Sequence, residues 1–366
     1  MPSEPAVQEG PDADGAYVTF RFPDPGRRLR GVRLYQEVRL AGERLDFTWS
    51  DGEWTLALER PGVDRMEYLL ELRRGDGSSE SVPDPHNPRR VPGAFGDKSV
   101  LELPGYQPPH WLEHPAAAGT RRTVIVPARA LGEDIATTVW SPDGAHDSEA
   151  MPLLVVHDGP EYDALARLTT YLSAGADAGF LPRTRAALLP PGPRDDRYSA
   201  DGPYTRALCL AVVPRINDEV ATTATIGMGA SLGALAMLHA QRQHPGCFDA
   251  LFLQSGSFFH PRHDAHERRF SQYERVVRSV DAVLRSGGHP SPVPTVMTCG
   301  CIEENLANNR IMARALAAQG YDVSLREVPD VHSYTAWRDA LDPWLSGLLR
   351  ETARSSGEGR EVRAKG

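Results

Sequence analysis

Three residue types, far apart in the chain, could together carry out acyl transfer. The first is Ser231, in Gly229-Ala230-Ser231-Leu232-Gly233. The β-branched stretch Ala224-Thr225-Ile226 runs into this pentapeptide, and a helical pattern starts at once from Leu232. A serine flanked by glycines between a strand and a helix reads as a nucleophile elbow. The turn is too tight for side chains at 229 and 233, it points the Ser231 hydroxyl out of the sheet, and it aims the Leu232 N–H at a developing oxyanion. A serine hydroxyl is a weak nucleophile at neutral pH. It needs a base within hydrogen-bond reach, and the base needs a carboxylate to fix its tautomer.

On such an elbow the partners follow in the order serine, acid, histidine. His332, in Pro329-Asp330-Val331-His332-Ser333-Tyr334, lies just past the last strand pattern and before the last helical one. The competing histidines sit elsewhere: His86, His110 and His114 in a β-rich region or linker, His239 and His244 along the helix after Ser231, and His260, His263 and His266 in a polar loop. The acid should follow the strand Thr295-Val296-Met297-Thr298, where Glu303 and Glu304 are adjacent; Asp330 is a third candidate. A second oxyanion donor should come from His157-Asp158-Gly159-Pro160-Glu161-Tyr162. Pro160 has no N–H, which points to the amides of Glu161 or Tyr162. Asp158 is expected to be structural, accepting backbone N–H groups in its turn. Arg197 follows another strand end, where it would either clamp an anionic or phenolic substrate group or form a salt bridge.

These groups need a scaffold. Strand patterns fall at about 122–129, 135–141, 152–157, 185–190, 222–228, 249–255, 294–299 and 322–328. Helical patterns fall near 161–175, 203–217, 232–244, 267–286, 305–319 and 335–350. This alternation predicts an α/β fold with a mainly parallel central sheet, helices on both faces and reactive loops at the carboxyl ends of strands, as in an α/β-hydrolase. Before it, short strands separated by Pro25-Gly26, Asp51-Gly52, Pro61-Gly62 and Asp76-Gly77 read as an all-β sandwich. The organisation is then a disordered tail over 1–14, an immunoglobulin-like (E-set) sandwich over 15–105, a proline-rich linker over 106–120, a catalytic α/β domain over 121–350, and a charged, disordered tail over 351–366.

The segments Ser231-Leu232-Gly233, Leu253-Gln254-Ser255-Gly256-Ser257-Phe258, Glu304 to Asn309, and His332 with Trp337 together resemble the enterochelin (ferric enterobactin) esterases. These belong to the wider Putative esterase family, with esterase D-like enzymes and mycobacterial mycolyltransferases. The resemblance covers about 120–350. It implies Ser231 as nucleophile, His332 as base, Glu304 as acid in preference to Glu303, and Arg197 and Trp337 near the substrate. It also implies that the sandwich is like the N-terminal domain of those esterases.

The chain has 366 residues, 40 Lys+Arg against 49 Asp+Glu and a net charge of −9, which speaks against nucleic acid or an anionic membrane as partner. No signal peptide or membrane-spanning run is visible, so a cytoplasmic location is expected. Four cysteines in a chain of this length read as reduced thiols. The expectation is a cofactor-free and metal-free serine esterase acting on a small-molecule ester, with a catecholate trilactone siderophore carrying iron as one candidate. An acyltransferase or aryl/feruloyl-type esterase of the same fold is a second reading. A non-catalytic siderophore or glycan binding protein is a third, from another class.

Overall fold

The computed structural model describes residues 5–9, 16–38, 45–93, 96–115 and 118–364. The chain divides into two compact units. The first gathers Met1–Gln107, Gly300–Glu303 and Pro329–Ser333; the second gathers Pro108–Cys299, Glu304–Val328 and Tyr334–Gly366.

In the first unit, β1 (Ala6–Glu9), β2 (Ala16–Pro23), β4 (Thr48–Ser50) and β5 (Glu53–Glu59) make one sheet, in the order β1-β2-β5-β4. A second sheet contains β3 (Leu29–Gln36), β6 (Arg65–Arg74), β7 (Ser79–Val82), β8 (Arg90–Val91) and β9 (Lys98–Glu102), with β6 central. The pairings are antiparallel. Alternate residues turn inward: Val18, Phe20, Leu56 and Leu58 of one sheet share a core with Val32, Leu34, Met66, Tyr68 and Leu70 of the other. That is the period-2 pattern of a sandwich.

The second unit is an eight-stranded mixed sheet flanked by helices. Its strands are β10 (Gly119–Ala128), β11 (Glu133–Pro142), β12 (Met151–Val156), β13 (Arg185–Leu188), β14 (Thr222–Ala230), β15 (Ala250–Gln254), β16 (Thr295–Gly300) and β17 (Val323–Val328), in the order β10-β11-β13-β12-β14-β15-β16-β17. Strands β10, β11 and β13 pair antiparallel, and β13, β12, β14, β15 and β16 run parallel. The inner strands are buried along most of their length because both faces are covered. Leu153 and Val155 of β12 enter one core with α5 (Val213–Glu219), α6 (Leu232–Gln243), α7 (Tyr273–Leu284) and α8 (Leu306–Ala318). Leu154 and Val156 enter the other, with α1 (Gly159–Ala166), α2 (Leu168–Asp177) and α10 (Trp344–Ala364). Three short helices, α3 (Arg194–Tyr198), α4 (Gly202–Ala207) and α9 (Tyr334–Asp339), lie at loop ends.

Four expectations are corrected. Ala6–Glu9 pairs with the edge of β2, where a disordered tail was expected over 1–14; the other residues of that stretch, save Pro5, lie outside the described residues. The expected frayed tail from Glu351 continues α10 to Ala364. Leu345, Leu348 and Leu349 anchor that helix in the core, and the Glu, Arg and Ala that follow are good helix formers. The linker carries a short 3₁₀ turn over His110–Glu113, whose Trp111 is buried with its ring 5.2 Å from that of Tyr171. Cys209 and Cys247 form a disulfide, their Cα atoms 5.4 Å apart, while Cys299 is buried and Cys301 exposed. A pairing across 38 residues has no local signature in the sequence. Among the described residues, no helix is long and apolar enough to cross a membrane.

At the crossing of β14 and α6 two backbones come close together. A Cβ on Gly229 would lie 2.5 Å from the backbone carbonyl of Gly233, and one on Gly233 would lie 3.2 Å from the Cβ of His157. His157, fully buried at the end of β12, donates its Nδ1–H to the Gly233 carbonyl at 3.0 Å. Burial holds its pKa down at about 3, so the ring stays neutral in the folded chain.

Two outcomes follow from this crossing. Gly229→Ala should lower unfolding free energy by about 1–3 kcal/mol, the range for overpacking against groups that cannot yield, read as a drop in the urea midpoint. For His157, the folded pKa lies below the unfolded value near 6.5. Its contribution is therefore complete above pH 6.5, and it is lost at up to about 1.4 kcal/mol per unit as the pH falls from there toward 3. A His157→Gln chain should lose less stability between pH 7 and 5 than the parent; equal slopes would contradict the assignment.

Candidate active site

The elbow residues lie in the second unit. Ser231 caps the N-terminus of α6 with φ 56° and ψ −125°, a positive φ that a side chain adopts only under constraint. Its amide donates to the Gln254 carbonyl at 2.9 Å, and its own carbonyl accepts from the amides of Ala234, Leu235 and Ser257. The Ser231 hydroxyl lies 3.0 Å from the Ser257 hydroxyl. Leu232 opens α6, so its amide belongs to the first turn, where N–H groups have no intrahelical acceptor.

The loop after β15 is held from several sides. Gln254, fully buried, accepts from Tyr162 Oη–H at 2.9 Å and donates to Thr298 Oγ1 and to the Trp337 carbonyl. Ser255 also has a positive φ, 47°. Asn309 accepts the Gly256 N–H at 3.1 Å and donates to the Gly256 carbonyl at 2.8 Å. In the sequence, Gln254 and Asn309 stand only as parts of a pattern, and nothing local marks Ser257 or His157. A buried polar side chain beside a strand end was the one signal that could have singled them out.

Glu303 and His332 lie in the first unit and meet there. Glu303 Oε2 is 2.9 Å from His332 Nδ1, and Oε1 accepts the Gly300 N–H at 2.8 Å. The Glu303 side chain is 1 % exposed and the His332 side chain 34 %. An acceptor-only carboxylate at Nδ1 keeps the proton there and leaves Nε2 as the basic nitrogen. Glu304, the acid favoured by resemblance, instead meets His266, its carboxylate 3.0 Å from Nε2. Adjacent residues in the turn after β16 leave the backbone in different directions, so only Glu303 turns to His332. Asp330, the third candidate, pairs with Arg65 at 2.7 Å. His266, Glu267 and Glu304 bring ligand atoms within 4.8 Å of one another and are the side chains there that could hold a metal ion.

In the loop after β12, the Tyr162 amide donates to the Asp158 carbonyl at 2.9 Å and the Gly159 amide to the Leu189 carbonyl. Tyr162 is thereby corrected as an oxyanion donor, because its N–H is already used inside α1. Asp158 is structural through an ion pair: both its carboxylate oxygens accept from Arg194, at 2.9–3.1 Å, and no backbone N–H caps onto them. Burial raises the Asp158 pKa, with Arg194 opposing that shift. Of the two alternatives for Arg197, the structure shows the salt bridge. Its side chain is 8 % exposed, paired with Glu133 and laid against Gly192. Trp337 is likewise buried, with its indole N–H donated to Ser255 Oγ at 3.0 Å; it supports the β15 loop.

This architecture has close counterparts. The enterobactin esterase of Shigella flexneri, in a structure determined in the presence of enterobactin, matches with a TM-score of 0.74 at 18% identity, over 96% of either chain. The ferric enterobactin esterase of Salmonella typhimurium matches with a TM-score of 0.70 at 19% identity, over 95% of this chain and 96% of that one. A ferulic acid esterase matches at 0.52 and 15% identity, over 63% of this chain and 98% of that one. No curated protein matches the sequence. A family model described as "Esterase: Putative esterase" matches residues 128–348. With more than half its length matched, the chain belongs to the Putative esterase family and is a carboxylic ester hydrolase.

Proposed function

We propose that the chain cleaves esters through a covalent acyl–serine. His332 Nε2 takes the proton of Ser231 Oγ as that oxygen bonds to the ester carbonyl carbon. The amides of Leu232 and Glu161 hold the resulting oxyanion. Collapse breaks the bond to the alkoxide, which receives the proton from His332. Water, deprotonated by the same imidazole, then releases the acid and restores Ser231. Glu303 orients the ring and stabilises its charged form. The strained elbow at Ser231 carries this reading, because a side chain is held at that φ and ψ only where the surroundings impose it.

The proposed substrate is a catecholate trilactone of the siderophore type, with the iron it carries as cargo. Support comes from likeness over both units: enterobactin esterases match 95–96% of this chain, the ferulic acid esterase 63%. An aryl ester of the feruloyl type is the second substrate class, since that match covers nearly all of the shorter enzyme.

A fluorophosphonate probe should label the wild-type chain and not Ser231→Ala; labelling of both would remove Ser231 from the mechanism. Glu303→Gln should lower kcat by about 10²–10⁴-fold, as when a triad carboxylate is neutralised, and Glu304→Gln should change it by less than about threefold. The reverse ranking would restore Glu304. A hydrolysis panel of catechol trilactones with and without iron, p-nitrophenyl acyl esters and feruloyl esters should show the highest kcat/KM on a trilactone. Preference for feruloyl esters would shift the substrate class and leave the chemistry in place.

A further inference from the structure

We infer that Arg65, on β6 of the first unit, is a positioning residue for His332, acting through a buried ionic network beneath the loop that carries the base. The inference rests on the Ser231–His332 reading above.

Arg65 is 1 % exposed. Its Nη1 donates to Glu67 Oε1 at 2.8 Å and its Nη2 to Asp330 Oδ2 at 2.7 Å. The Ser333 hydroxyl donates to Glu67 Oε1 at 3.1 Å. The residues two before and one after His332 are thus both tied to β6. The other Asp330 oxygen accepts the Val331 N–H at 2.8 Å, and the Asp64 N–H donates to the Pro329 carbonyl at 2.8 Å. Val331 is buried in the sandwich core. The acid loop is locked to the same place: a Cβ on Gly300 would lie 2.3 Å from the Asp330 carbonyl oxygen, and the Gly300 amide holds Glu303.

One guanidinium between two carboxylates is a job for arginine, whose planar fork can serve both at once. Such a network is a poor stability device, since well-packed apolar residues of similar volume often replace a buried ionic triad without loss. What it does supply is geometry. With positions 329, 330, 331 and 333 all pinned, the imidazole retains little more than rotation about its own bonds, and Glu303 fixes that rotation. Misplacement of a reacting group by about 1 Å costs on the order of 10² in rate.

The test uses the full chain. Arg65→Met should reduce kcat by about 10–100-fold with KM changed less than about threefold, the signature of a displaced base. Because that variant strands two buried carboxylates and can misfold, the decisive variant is Arg65→Met/Glu67→Leu/Asp330→Leu, which removes all three buried charges and leaves Lys98 its partner Glu37. It should keep the parental melting temperature within a few degrees, show the same loss of kcat, and react with the fluorophosphonate correspondingly more slowly. Wild-type kcat in the folded triple variant would overturn the inference, as would a kcat loss that merely tracks the fraction unfolded. Ser231→Ala and His332→Ala run alongside: activity in those two would defeat the underlying mechanism, whereas their inactivity with an unimpaired triple variant would defeat the role of Arg65 alone.

Discussion

A serine at φ 56° and ψ −125° does not rest there on its own account. For a residue with a Cβ such a conformation costs on the order of 1–3 kcal/mol, and it survives only if the surroundings leave no alternative. Here the constraint is supplied by the parallel ladder between β14 and β15, which sets Ala230 opposite Gln254. That register delivers the Gln254 carbonyl to the Ser231 amide and the Ser257 amide to the Ser231 carbonyl. The elbow is therefore a property of two strands and their loops, and the pentapeptide is the sequence that can tolerate it.

Gln254 spreads the same constraint outward. Its side chain reaches Tyr162 on α1, Thr298 on β16 and the backbone of Trp337 on α9. A buried amide with donors and acceptors in fixed directions gives those elements little freedom to slide, because an unmade hydrogen bond there costs the full desolvation of the group. Trp337 acts in the same sense. Its apolar ring fills space beside Tyr162 and Tyr334, and its one polar atom is committed to Ser255.

Much of the fold was legible because strands covered on both faces, such as β12 and β15, leave apolar runs. All eight strands of the second unit fall within a few residues of the strand patterns. Ser231 was legible because glycine is needed at 229, where β14 meets α6. The choice between Glu303 and Glu304 was not legible: it depends on the direction a turn takes after Gly300, and both residues have the same chemistry. Arg65 was invisible for another reason. It is separated from Asp330 by 265 positions, and an arginine at the start of a strand has no local mark of burial. Arg197 and Trp337 stand where a strand end should face a cleft, yet Arg197 pairs with Glu133 and the Trp337 indole N–H is donated to Ser255.

Pro160 shows how a local rule shapes a turn. Near the start of α1 its missing N–H removes nothing from the helix, since first-turn amides have no intrahelical acceptor. The same absence removes one donor from the turn. The Asp158 amide is committed to Tyr198 Oη, the Gly159 amide to Leu189, and the Tyr162 amide to Asp158. Among the described residues of this turn, Glu161 then has an amide that none of these bonds uses. The hydrogen bonds already made around Asp158 thus commit most N–H groups at this helix start to the fold itself.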